Sequence, residues 1–344
     1  MLSTLPLWLR AACSFFCAGS LCHLFTPPVR QLALRLGAVD RPGGRRVNRR
    51  PVPRMGGLAL FLGFFAPSAA FCPEDGPTGA LLCAALLIAA AGAADDLLQL
   101  PPALKLLAQA AAAALALRGG IVLRVLSLPS GASLVLPSGL AAALTALWLL
   151  ACTNAVNLID GLDGLAAGVS GIGATSLLLA ALVLPAPAVA VPLAALGGAC
   201  LGFLPFNRSP ARIFMGDAGS QFLGFALGAL SVMGALKFHT LAGLCVPLLA
   251  LSVPLTDTVF AVLRRLAHGQ SPFRADRGHI HHRLLDLGLS QRQAVALLCG
   301  LSSLQGLAAV LLAGTDALSR TLCLLPALAP AAALWIGLRR GGGH

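Results

Sequence analysis

The chain has 344 residues, 58% of them hydrophobic and 10% charged, with a mean hydropathy of +0.87. A soluble domain carries about 25% charged residues, so an ordinary cytosolic enzyme, a disordered chain and a secreted disulfide scaffold are all excluded. The net charge of +12 does not point to nucleic acid, because the basic residues stand in short loops between apolar runs, where topology places them. The expectation is an all-α polytopic membrane protein without a nucleic-acid partner, folded as one domain over residues 1–344.

Taken in order, the apolar runs fall at about 5–26, 56–72, 79–94, 103–118, 138–156, 164–184, 188–206, 220–236, 239–264, 291–313 and 320–338, each near the length a span requires. They predict about 11 transmembrane helices. The first run has no A-x-A cleavage site, and Cys22 follows a bulky leucine, so the run reads as a first span and not as a removed signal. The ten cysteines lie mostly in apolar segments without a CxxC pair and read as small buried hydrophobes. Residues 120–137 alternate apolar stretches with Pro, Ser and Gly and predict a small hairpin on the outer face. No internal repeat is evident.

Orientation follows from the basic residues. With the N-terminus outside and the C-terminus cytoplasmic, 19 of the 24 lysines and arginines fall on the inner side, as the positive-inside rule requires. The cytoplasmic loops are then about 27–55, 95–102, 157–163, 207–219 and 265–290. Asp95, Asp96, Asp160, Asp163, Asp217 and the histidines 279, 281 and 282 all lie at that face. Carboxylates at span ends are costly and usually functional, and here they stand beside a basic loop, which suits a cation and a polyanion.

Four constellations carry the chemistry. Asp95-Asp96 ends the third run; neighbours on a helix point about 100° apart, so the two carboxylates serve different partners or cap the helix end in water. Asn154, Asn157 and Asp160 are spaced by three and share a helical face; Gly161 then breaks the helix and Asp163 sits on the turn. Amide and carboxylate oxygens suit Mg²⁺. Asn207–Ser220 contains Arg208, Arg212 and Phe214-Met215-Gly216-Asp217, where Asp217 precedes the eighth run at the positive end of a helix dipole. Arg274–Leu284 contains His279-Ile280-His281-His282-Arg283. Arginine and histidine donors suit phosphate oxygens better than zinc here, although a solvated basic loop is the bland alternative.

In order and wording these motifs resemble the polyprenyl-phosphate N-acetylhexosamine-1-phosphate transferase family. The resemblance runs from about Pro51 to Ser290 and includes Pro51–Gly57, Asp95-Asp96 with Leu100–Pro102 and Lys105–Gln109, the N-x-x-N-x-x-D-G-x-D-G run, Phe214–Asp217 and His279–Arg283. It implies that Asp217 and Asn157 bind Mg²⁺ (or Mn²⁺), and that Asp95 and Asp96 act catalytically near a lipid phosphate, with His279. It implies nucleotide binding by Phe214, Asp160 and Asp163. It places phosphate and sugar on His281, His282, Arg283 and Arg274. The His-Ile-His-His-Arg loop is similar to the branch using UDP-GlcNAc and unlike the phospho-MurNAc-pentapeptide branch. The implied partners are a UDP-N-acetylhexosamine, a polyprenyl phosphate and the membrane; the implied place is the bacterial inner membrane. Direct attack by the lipid phosphate and a two-step route through an aspartyl nucleophile both remain open, as does a homodimer. A secondary transporter would need mid-span carboxylates and inverted repeats; only Asp257 sits well inside a run, as polar packing or as a contact to the neighbouring site.

Overall fold

The computed structural model describes residues 5–41, 50–72, 76–127, 133–183, 186–235, 242–267, 269 and 279–314. Within these the chain is helical, with two short hairpins. Helix α1 (Leu7–Arg35) is followed by strands β1 (Val39–Asp40) and β2 (Val52–Pro53), which pair antiparallel. Then come α2 (Gly57–Phe71), α3 (Gly76–Leu98) and α4 (Pro102–Arg118). Strands β3 (Val125–Ser127) and β4 (Ser133–Val135) form the hairpin expected within 120–137. The remainder is α5 (Ser138–Ile159), α6 (Leu165–Val183), α7 (Pro187–Asn207), α8 (Gly216–Ala235), α9 (Ala242–Ala250), α10 (Ser252–Ala267), α11 (Ile280–Asp286) and α12 (Gln291–Gly314).

The described parts of the first ten apolar runs are largely helical, and six helices among the described residues are long and apolar enough to cross a membrane. The eleventh run, 320–338, and Arg274 lie outside the described residues. Two expectations need correction. The ninth run is not one helix: it breaks at Leu251 between α9 and α10, in a stretch that holds Pro247 and Pro254, and proline removes the helical N–H. The first apolar run, placed at about 5–26, is also shorter than the helix it forms. Helix α1 continues through Pro27 and Pro28 to Arg35, because its end is anchored: Ala33 is fully buried in a small apolar cluster with Ala38 and Met55.

The bundle is built around α8, in which every residue from Ala218 to Gly234 is buried. Helices α3 and α5 pack along it, α4 on α3, and α1 on α7. With lipid outside, apolar burial supplies little drive between helices, so association depends on close packing of small residues. The α1–α7 contact shows this directly: a Cβ on Gly198 or Gly202 would strike the carbonyls of Phe15 or Gly19. Helices α2, α3 and α8 meet in the same way at the start of α8, where Gly57 and Gly92 lie against the backbone of Ala218. These contacts fix the helix ends that carry the site.

Candidate active site

The sequence Pro51–Gly57 has one prolyl strand residue and two glycines and does not continue as a helix until Gly57. It lies instead along the segment before α8. Phe214 N–H donates to the Pro53 carbonyl (2.9 Å), and Gly56 and Gly57 N–H groups donate to the carbonyls of Phe214 and Met215 (2.9 and 2.8 Å). This ribbon brings Arg54 beside the start of α8. The Arg30 guanidinium of α1 donates to the Arg212 carbonyl (3.1 Å) and ties the same segment down from the other side.

The paired aspartates divide their work, as their angular separation requires. Asp96 turns to α8 and accepts from the Asp217 and Ala218 N–H groups (3.0 and 3.2 Å). It thus satisfies amides that a helix start leaves without internal partners. Because Asp96 supplies this cap, Asp217 does not, and its carboxylate faces outward. Asp95 accepts from the Leu100 N–H (2.7 Å) and pairs with Lys105 at 2.6 Å. The Lys105 ammonium also meets Asp217 at 2.9 Å, while Arg54 stands 3.4 Å from Asp96 and 3.7 Å from Asp217. Gln221 donates to Asp217 (3.0 Å) and Gln109 to Gln221 (3.0 Å). Gly216 has φ +67°, and a Cβ there would strike the Asp96 carboxylate. Gly216→Ala is therefore expected to cost well over 90% of turnover, since both the positive φ and the Asp96 contact exclude it; near-normal activity would show that the Asp96 cap is dispensable.

Above this network lies a cavity of about 310 Å³. It is lined by Asp40, Arg54, Asn157, Asp160, Gly161, Leu162, Asp163, Asn207, Phe214, Gly216, Asp217, Ser220 and His282. Helix α5 ends at Ile159, so Asn157 and Asp160 reach the cavity together. Asn154, on the same face but deeper, donates instead to Gln109 (2.8 Å). Asp163 accepts from the Ala211 N–H (3.0 Å), and Asn207 accepts from Gly164 and donates to the Ile213 carbonyl (both 3.1 Å). These bonds join the two glycine turns to the Phe214 segment. Burial, reinforced by the Asp217 charge, pushes the Asp160 carboxyl up to about 7.

Of the residues singled out in the sequence, Asn157, Asp160, Asp163, Phe214, Asp217 and His282 line one cavity. Asp95 and Asp96 stand behind Asp217 and do not line it. His281 is buried, its ring against Gly161 and next to His282, with ring centroids 4.3 Å apart. Burial holds its pKa near 3, so this imidazole is neutral. His279 is buried on Asp257 and is the residue before α11, not part of its face. Arg283 is half-buried on α11, outside the cavity lining. Arg54, Asn207 and Asp40 also line the cavity, and Lys105 pairs with Asp217 beside it; sequence reasoning assigned none of the four a site role. Arg54, Lys105 and Asn207 stood within quoted motifs, but the two cations read equally well as positive-inside anchors.

Among the described residues no three His, Cys, Asp or Glu side chains form a ready-made metal cage. The cavity does offer Asp217, Asn157, Asp160 and Ser220, all hard oxygen donors. That set fits Mg²⁺, which favours one or two carboxylates, retained waters and substrate phosphates.

The helix ends thus converge on a carboxylate-rich cavity, and comparison with known proteins places the chain in a class of polytopic membrane transferases. The family described as glycosyl transferase family 4 matches residues 78–235. The chain is 38% identical over 297 residues to the probable undecaprenyl-phosphate N-acetylglucosaminyl 1-phosphate transferase of Bacillus subtilis, covering 84% of this chain and 81% of that one. It is 36% identical over 316 residues to the decaprenyl-phosphate N-acetylglucosaminephosphotransferase of Mycobacterium tuberculosis (82% and 77%). To the undecaprenyl-phosphate alpha-N-acetylglucosaminyl 1-phosphate transferase of Yersinia pestis it is 31% identical over 321 residues (89% and 83%). The chain belongs to this family of polyprenyl-phosphate N-acetylglucosaminyl 1-phosphate transferases.

Proposed function

We propose that the chain transfers N-acetylglucosamine-1-phosphate from UDP-N-acetylglucosamine to a polyprenyl phosphate, undecaprenyl phosphate in the first instance, with release of UMP. The observation that carries this reading is the cavity itself. It joins an aromatic face (Phe214), hard oxygen donors (Asp217, Asn157, Asp160) and a guanidinium (Arg54) at the ends of membrane helices, where a lipid phosphate and a soluble nucleotide can meet.

The reaction joins two anions, so its barrier is repulsion and positioning. A lipid phosphate oxygen attacks the phosphorus that bears the sugar, and the bond from that phosphorus to the UMP oxygen breaks. Arg54 and Lys105 are held at the site by the buried carboxylates and carry the positive charge that both substrates need. Phe214 offers a face for the uracil ring. Asp160, Asp163 and the glycines between them let the backbone approach the nucleotide closely. His282 supplies a donor at the cavity wall. Mg²⁺, held by Asp217 with Asn157, would supply Lewis-acid neutralisation of the diphosphate. The lipid phosphate has a second pKa near 6 and is mostly ionised at pH 7, so it needs no strong base. Asp95 and Asp96 are both engaged by backbone amides and cations and do not line the cavity, which favours direct attack over an aspartyl intermediate.

The deciding assay incubates purified protein with undecaprenyl phosphate and a panel of UDP-sugars and follows UMP. UDP-N-acetylglucosamine is expected to turn over and UDP-MurNAc-pentapeptide to be refused by at least about 100-fold, since a mismatched donor leaves buried polar groups unpaired. Preference for the pentapeptide donor would move the chain to the other branch; no UMP from any donor would end the transferase reading.

The proposed topology has eleven spans, N-terminus outside, with the site at the cytoplasmic face of the inner membrane. In support, Arg292 at the start of α12 donates to the Ser209 carbonyl (3.1 Å), so the loops before α8 and before α12 share one face. Cysteines introduced at Ser209 and Ser290, in a background without native cysteines, are expected to label only from the inner side. Labelling of either from outside overturns the topology.

A further inference from the structure

Asp257 lies in α10, away from the cavity, and its side chain is only 3% exposed. Both of its oxygens are committed to one neighbouring segment. Oδ1 accepts from the Ile280 N–H (2.8 Å) and Oδ2 meets Nδ1 of His279 (2.9 Å). The carboxylate therefore calls for the His279 tautomer with hydrogen on Nδ1. From there three imidazoles follow one another toward the cavity. The His279 and His281 rings are nearly parallel, 8° apart with centroids at 5.7 Å, and His281 then meets His282. His281 is 2% exposed, its Nδ1 is buried without a hydrogen-bond partner, and its Nε2 lies against Gly161 of the nucleotide turn. Packing alone holds that ring, so its position depends on the ring behind it. His282 reaches the cavity wall.

We propose that Asp257 is a positioning residue for phosphoryl transfer, acting through His279 and His281 to set where His282 and the Gly161 turn stand. This rests on the transferase reading above. Asp257 touches no substrate; it fixes the register of the His279–Arg283 segment against a membrane helix.

Asp257→Asn is nearly isosteric but offers one acceptor oxygen where two are used. Its amide would face Nδ1 of His279 and favour the opposite tautomer. In purified full-length protein, kcat for UMP release is expected to fall about 10- to 100-fold, the usual scale for a group that orients functional residues, while KM for undecaprenyl phosphate changes less than about 2-fold. If Asp257 acts through His279, Asp257→Asn combined with His279→Ala is no worse than His279→Ala alone. Hydrogen exchange is expected to quicken across residues 279–286 and to stay unchanged in α5 and α8. Normal kcat, multiplying losses in the double variant, or exchange that quickens throughout the bundle would each overturn the proposal; the last would make Asp257 a general structural residue. If the native protein releases no UMP, the transferase reading fails, and with it the catalytic role; the exchange measurement still decides whether Asp257 holds this segment.

Discussion

Asp217→Ala is expected to lower UMP release by at least about 10³-fold, at or beyond the upper end of what the loss of one preorganised electrostatic group costs an enzyme, while the protein stays folded in the membrane. Asp217 is held from three sides, by Lys105, Arg54 and Gln221, and it is the one carboxylate of that network that lines the cavity. On the proposed metal assignment its loss removes a charged oxygen donor for Mg²⁺, and, among the described residues, it leaves Lys105 and Arg54 paired only with Asp95 and Asp96. The fold should survive, because the amides at the start of α8 are satisfied by Asp96 and not by Asp217. Chelation with EDTA should reproduce the loss in the native protein and Mg²⁺ should restore it. Full activity in excess chelator would refute the metal assignment.

Lys105→Met should have the second largest effect, on turnover and stability together. The ammonium stands between Asp95 and Asp217, and Asp95 is 5% exposed. Removing one partner of a buried ion pair leaves a charge that neither water nor protein compensates, and such losses run to about 3–5 kcal/mol. Lys105 is partly exposed, so a smaller penalty is expected, read as a clear fall in the melting temperature in detergent. Turnover should fall about 100-fold. The double variant Lys105→Met with Asp95→Asn removes the uncompensated charge and should recover most of the melting temperature but not the turnover. Recovery of both would mean that Lys105 serves structure alone.

The outcome shows where sequence suffices. Asn157, Asp160 and Asp217 are legible because a polar oxygen in an apolar setting is costly, and helical spacing says which ones share a face. The helices are legible for the same reason: a 16- to 26-residue apolar run has few other places to go. Arg54 and Lys105 were not singled out because a basic residue at a span end already has a sufficient explanation in topology. Their site role depends on the ribbon between Pro53 and Phe214, a pairing across more than 150 residues that no local pattern announces. The division of labour between Asp95 and Asp96 was half visible: the angle between them follows from helix geometry, but which oxygen caps α8 depends on where α8 begins in space. For Asp257 the sequence left polar packing and a contact to the neighbouring site both open, because its partner, His279, is 22 residues away on a different element.

Helix α1 sets a length scale for the whole site. Its 29 residues span about 44 Å at 1.5 Å per residue, against a hydrocarbon core of about 30 Å. The surplus at its Arg35 end is clasped to the Phe214 segment through Arg30 and to Met55 through Ala33. On the proposed topology this clasp holds the cavity at a fixed height above the oily slab, and a lipid substrate, whose phosphate rides at the slab's surface, must meet it there. A bilayer of different thickness would move the phosphate relative to that height, at a mismatch cost of a fraction of a kcal/mol per ångström. Catalysis by this protein should therefore depend on acyl-chain length, with an optimum thickness set by the projection of a single helix.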